Sequence, residues 1–260
     1  MILDRFDGIV FVGDDMVAQI YAAFNALLRR NIRLGALEQW RMLDRELETC
    51  ACDRQYTNPE CSKYFATSSE EIAKHDSEGG PMSPYACNRK PSQHRPRYNY
   101  ADCDHEGVPH MYFPIAGTAN PDYTSRFREL LDAKPHSWKP VATIHSLGLS
   151  TSFNWQTATE SLDEWLTIAD ASGRNSPFVW LGPNAAGHLK PPSKIMQEGN
   201  NALWHYSLML GSEATKRNVD HLNFYNMTLQ ATSWDGSSYG ESVNLVQAMM
   251  VSINCSCPHP

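Results

Sequence analysis

The chain has 260 residues, 42% of them hydrophobic and 20% charged, which is enough for a sizeable hydrophobic core and excludes a disordered or collagen-like protein. With 29 acidic against 22 basic residues the formal charge is −7, which argues against an electrostatic nucleic-acid binder. No apolar run approaches the roughly 18–20 residues of a membrane span.

The opening segment, MILDRFDGIVFVGDD, carries Asp4, Asp7, Asp14 and Asp15. It lacks the basic start, continuous apolar stretch and small-residue cleavage site of a secretory signal. A cytoplasmic location is expected for the chain as it stands, and the secretory pathway if an amino-terminal segment has been removed.

The run Gly8-Ile-Val-Phe-Val12 reads as a short buried strand entering a tight turn at Gly13-Asp14-Asp15. Met16, Val17, Ile20, Tyr21, Phe24, Leu27 and Leu28 then recur at helical spacing. Arg29 and Arg30 suit the negative end of that helix. A second helix is expected over 37–47. From Cys50 to His110 the periodicity dissolves into Pro, Gly, Ser, Asn and Cys, the composition of an insertion or lid.

Seven cysteines leave at least one without an intramolecular partner, and five of them (Cys50, Cys52, Cys61, Cys87, Cys103) crowd into that stretch. Disulfides, free thiols and a zinc site built on Cys50, Cys52, Cys61 and His105 all remain open, although Cys-x-Cys with irregular gaps is not a recurrent zinc spacing. Sequons at Asn226 and Asn254 matter only in a secreted protein.

Regularity returns with a strand over 111–115, a helix over 123–133 and a strand over 141–145. Ser161-Leu-Asp-Glu164 matches a capping box, with Leu162, Trp165, Leu166 and Ala169 on one helical face. A strand over 177–181, a helix over 200–216, a strand over 221–225 and a helix over 241–253 complete the chain. Alternating strands and helices imply an α/β fold, a three-layer αβα sandwich with a mainly parallel sheet. A single domain is expected over 1–260, with the insertion at about 50–110 beside the site. Ligands in such sheets sit beyond the carboxyl ends of the strands. That edge would gather Asp14, Asp15, His145 to Gly148, Gly182 to His188 and the loop around Asp235.

Phe11-Val-Gly-Asp-Asp15 resembles the first block of SGNH/GDSL hydrolases, in particular the fungal and plant PC-esterase-like branch related to trichome-birefringence-like acetylesterases. Ile144-His-Ser-Leu-Gly148, the stretch from Trp180 through Gly182-Pro-Asn184 to Lys190, and Asp235-Gly-Ser-Ser-Tyr-Gly240 are similar to later blocks in order and spacing. The resemblance implies an SGNH/flavodoxin-like fold. It places a serine nucleophile at position 15 and a histidine base at position 238, oriented by Asp235. Here those positions hold Asp15 and Ser238. Acyl transfer through serine needs a hydroxyl, a base and an oxyanion hole, so an ordinary serine-esterase mechanism is not expected.

Asp15 would then act by hydrogen bonding or acid/base exchange, with Asp235 and His188 as the other candidate catalytic groups. Asp14, His145, Gly148, Asn184 and Ser238 are candidate substrate contacts, Asn184 as a donor to a developing oxyanion. Each also has a structural reading: Asp15 as a helix cap, His145 as a satisfied core histidine, His188 as a surface loop residue, and Asp235, Ser237 and Ser238 as turn residues. No cofactor or metal is expected, and the partner is a small molecule. Three functions stay open: a non-hydrolytic step such as cyclisation, pericyclic closure, isomerisation or elimination on a natural-product intermediate; an O-acetylesterase or acyltransferase with a recruited base; and a non-catalytic binding protein.

Overall fold

Apolar residues between two glycines form strand β1 (Gly8–Gly13), which is buried at every position. It is an interior strand of a five-stranded sheet in the computed structural model, which describes residues 5–72, 109–117, 119–132, 139–171, 173 and 176–256. Strands β2 (His110–Pro114), β3 (Val141–Ser146), β4 (Phe178–Leu181) and β5 (Asp220–Leu222) complete it in the order β2-β1-β3-β4-β5. Every strand pair is parallel. This is the flavodoxin-like order, whose direction reverses between β1 and β3.

The helices are α1 (Asp15–Leu28), α2 (Asp44–Thr49), α3 (Arg54–Thr57), α4 (Pro121–Asp132), α5 (Trp155–Asp170), α6 (Ile195–Glu198), α7 (Asn200–Lys216), α8 (Tyr225–Thr228) and α9 (Glu241–Ser256). Strand alternation sorts the core into two layers. Ile9, Phe11, Ala142, Ile144, Val179 and Leu181 meet Ile20 and Phe24 of α1 and Ala248 and Val251 of α9. Val10, Val12, Val141, Phe178 and Trp180 meet Phe127 of α4, Leu162 and Trp165 of α5, and Leu210 of α7. Each such large side chain, moved fully from water, contributes about 1.5–3 kcal/mol, so the pattern that the sequence displays is also what stabilises the layers. The α/β sandwich expected from strand–helix alternation is therefore observed.

Some local expectations are corrected. Helix α5 begins at Trp155, capped by Asn154, whose Oδ1 accepts from the amides of Gln156 (3.0 Å) and Thr157 (3.2 Å). Ser161, expected to cap it, is buried in the helix interior. Arg29 is buried and donates from Nη1 to the carbonyls of Gly35 (2.9 Å) and Leu37 (2.8 Å), which satisfies the turn after α1 instead of the helix end. In place of one helix over 37–47 there is a short 3-10 turn (Gln39–Arg41) and then α2. Strand β5 stops at Leu222, and Asn223 Oδ1 accepts from the Tyr225 amide to open α8. In the expected insertion, Cys50 and Cys61 form a disulfide, which removes both from the zinc reading, while Cys52 is an exposed free thiol. Cys87, Cys103, Cys257 and His105 lie outside the described residues. Among the described residues no helix is long and apolar enough to cross a membrane.

Candidate active site

The β1–α1 junction is built around Asp14. Gly13 has no room for a side chain: a Cβ there would lie 2.3 Å from the Ser146 carbonyl oxygen and from Val17 Cγ2. The close approach of β1 to β3 that this permits brings Asp14 to the loop after β3. Its Oδ1 accepts from the Met16 amide at 3.2 Å, the N-cap bond of α1. Its Oδ2 accepts from the amides of Gly148 (2.9 Å) and Ser150 (3.2 Å). Burial pushes the Asp14 carboxyl above its ordinary range, and the three amide bonds only partly offset this.

Asp14 lines a narrow cleft at the carboxyl edge of the sheet. Met16, Leu149, Phe153, Ala185, Leu203 and Tyr206 give it apolar walls. Phe153 meets Tyr206 edge to face with ring centroids 5.3 Å apart, and the Tyr206 hydroxyl donates to the Leu147 carbonyl. The remaining polar groups are Ser146, Asn184, Lys190 and Ser237. The Ser146 hydroxyl is committed to the Leu181 carbonyl at 3.0 Å. Asn184 Oδ1 accepts from Gln247 Nε2 of α9 at 2.5 Å, which leaves its amide nitrogen as the group to offer a ligand.

Lys190 and Ser237 come from different loops and meet at the cleft. The Lys190 ammonium donates to Ser237 Oγ and to Glu198 Oε2, the latter at 2.9 Å. The side chains of Lys190 and Glu198 are only 4% and 7% exposed. Burial alone would raise the Glu198 carboxyl, but Lys190 and Lys194, the latter 3.4 Å from Oε1, outweigh it and hold it below its usual range. Ser237 is set by a tight turn in which Asp235 Oδ1 accepts from the amides of Ser237 (2.7 Å) and Ser238 (2.6 Å). Gly236, at φ +89°, passes so close to Lys190 that a Cβ would lie 2.3 Å from the Lys190 amide nitrogen. Only glycine allows Ser237 to reach the lysine.

The residues singled out from sequence are distributed as follows. Asp14, Gly148 and Asn184 line the cleft together. Asp15 opens α1 with an exposed side chain and is not among the lining residues. Asp235 and Ser238 belong to the turn that carries Ser237, and Ser238 contributes its carbonyl to Ser233 Oγ at 2.7 Å. His145 is wholly buried between β3 and α5, with Nε2 3.1 Å from Ser161 Oγ, and burial drives its imidazole down to about 3. This serine–histidine couple sits in the core and not in the cleft. His188 is exposed and lines a second, more polar groove with Gln230 and Thr232. The two cavities share Ala186 and Lys190. Sequence reasoning does not single out Lys190, Glu198 or Ser237 as reactive; the one local signal is Lys190 followed by two prolines, Pro191 and Pro192. Among the described residues no group of three His, Cys, Asp or Glu side chains is placed to hold a metal ion.

No family model and no curated protein matches the chain. Among solved structures, it is similar to Est24, a carbohydrate acetylesterase from Sinorhizobium meliloti, at 13% identity and TM-score 0.41, covering 56% of this chain and 78% of that one. It is also similar to the native aryl esterase of M. smegmatis, at 13% identity and TM-score 0.40, covering 56% and 78% respectively.

Proposed function

We propose that this chain is an enzyme on an SGNH-like scaffold that has left serine-esterase chemistry. In this reading it catalyses a non-hydrolytic step, such as a cyclisation, pericyclic closure, isomerisation or elimination, on a small, largely apolar molecule bearing a carbonyl. One observation carries the reading: the Lys190 ammonium, the Ser237 hydroxyl and the Asn184 amide share an otherwise apolar cleft with the buried Asp14 carboxyl. Among the described residues, no serine–histidine couple lines that cleft.

The roles follow from the chemistry of the groups. Donors from Lys190, Ser237 and Asn184 stabilise negative charge developing on a carbonyl oxygen, and do so more strongly where water is excluded. Asp14 Oδ1, which accepts a single amide bond, keeps a lone pair for a proton from an adjacent carbon. The apolar walls hold the carbon skeleton in a reactive conformer, an effect worth up to about 7–11 kcal/mol in the best cases. Asp15 is outside this set, and a role for it would be limited to the helix end and the outer rim.

The test uses a panel of ring-bearing ketones in D2O. Exchange of hydrogen for deuterium beside the carbonyl is expected with wild type and about tenfold or more slower with Asp14→Asn or Lys190→Met. Nitrophenolate release from aryl acetates should match buffer. Wild-type ester turnover that disappears in Ser237→Ala would overturn the reading.

A further inference from the structure

We propose that the cleft also holds a latent acyl-transfer site, with Ser237 as nucleophile and Lys190 as its base, kept silent by the buried carboxylate of Glu198. This goes beyond the reaction proposed above, and covalent capture at Ser237 tests it whichever step the wild type performs.

A nucleophile, a base within hydrogen-bond reach and a third group orienting the base is the general arrangement for activating a hydroxyl, and serine–lysine versions exist. Ser237, Lys190 and Glu198 form that chain of contacts, and the first two face the cleft. The obstacle is charge. An ammonium has three donors and no acceptor, so Lys190 can only donate to Ser237 and cannot receive its proton. Glu198, itself buried, is the counter-ion that favours this charged form in a site with little water. The other charged groups nearby do not replace it. Lys194 is of like charge and engages Glu198, Asp14 is tied to three amides across the cleft, Asp235 is tied into its turn, and His188 is exposed.

Glu198→Gln keeps the size and the acceptor but removes the counter-charge, and desolvation then favours the neutral amine. The step balances without a further reactant. Lys190 Nζ takes the Ser237 proton while Oγ bonds to the acyl carbon of an activated ester. The aryloxide leaves with the electron pair of the broken carbon–oxygen bond, and the Asn184 amide donates to the transient oxyanion. Acyl-Ser237 remains, and the Lys190 proton passes to solvent. Ser237 and Lys190 are the reacting groups, whereas Glu198 acts only through Lys190.

The experiment treats the full chain with p-nitrophenyl acetate at about pH 8 and follows nitrophenolate release, intact mass and the modified peptide. Glu198→Gln should react about tenfold or more faster than wild type and gain about 42 Da on Ser237. Both changes should vanish when Ser237→Ala or Lys190→Met is added, and Glu198→Asp, which keeps the charge, should stay silent. A folded Glu198→Gln protein that leaves Ser237 unmodified overturns the proposal, as does wild type labelled at the same rate. Should Glu198→Gln not fold, Glu198→Met decides in its place: a fluorophosphonate probe must label Ser237 in that variant faster than in wild type, and the labelling must be lost when Lys190→Met is added. Labelling no faster than wild type overturns it.

Discussion

Two aspartates shape opposite rims of the cleft, and they do so differently. Asp14 binds amides from its own helix and from a loop 134 and 136 residues away in sequence. Asp235 binds only the amides two and three residues ahead of it. The first is a tertiary tie between β1, α1 and the loop after β3, and the second is a local turn. Asp14 keeps one lone pair on Oδ1 for the cleft, whereas Asp235 serves by setting the turn that carries Ser237 to Lys190.

The largest expected effect tests the tertiary tie. Asp14→Ala strands three amides, that of Gly148 on a buried residue, and should cost about 2–4 kcal/mol of unfolding free energy in urea. Asp14→Asn, which keeps one acceptor oxygen, should recover part of that loss. Next comes Gly236→Ala, where a left-handed backbone and a clash with Lys190 combine. A cost of about 2–3 kcal/mol is expected, with Ser237 moved out of reach of the lysine.

A third experiment probes β3, the strand beneath the Asp14 rim, through pH. His145 is held neutral when folded, its imidazole driven to about 3, whereas the unfolded chain takes up a proton near pH 6.5. The unfolded state therefore binds more protons between those values. Stability is fully present above about pH 6.5 and falls by about 1.4 kcal/mol per unit as pH drops toward 3. His145→Leu should flatten that part of the wild-type slope, and an unchanged slope would assign acid sensitivity elsewhere. The smallest effect closes the comparison: Asp235→Ala, whose freed amides water can reach, should cost about 1 kcal/mol. A loss larger than that of Asp14→Ala would invert the roles of the two rims.

The layers were legible because buried parallel strands carry unbroken apolar runs and their covering helices carry a 3.6-residue stripe. Val141–Ser146 and Asn200–Lys216 fall within a residue of the positions their patterns indicate. Local caps were less legible. Ser161 has a capping motif around it, yet its hydroxyl serves His145, and the cap falls to Asn154 seven residues earlier. Tertiary burial overrode the local signal. At the site, the edge of the sheet and Asp14, Gly148 and Asn184 were indicated by strand ends. The Lys190–Glu198–Ser237 cluster was not, because an ion pair between a loop and the one-turn helix α6 leaves no periodic trace. Side-chain direction was also hidden: two adjacent aspartates read alike in sequence, but the helix start turns one inward and the next outward.

Lys190 stands in the party wall between the apolar cleft and the polar groove, with Ala186 beside it. A guest on either side that recruits this ammonium alters the field felt on the other, and thermodynamic reciprocity makes the influence equal in both directions. Binding measured in one chamber should therefore carry information about the occupant next door.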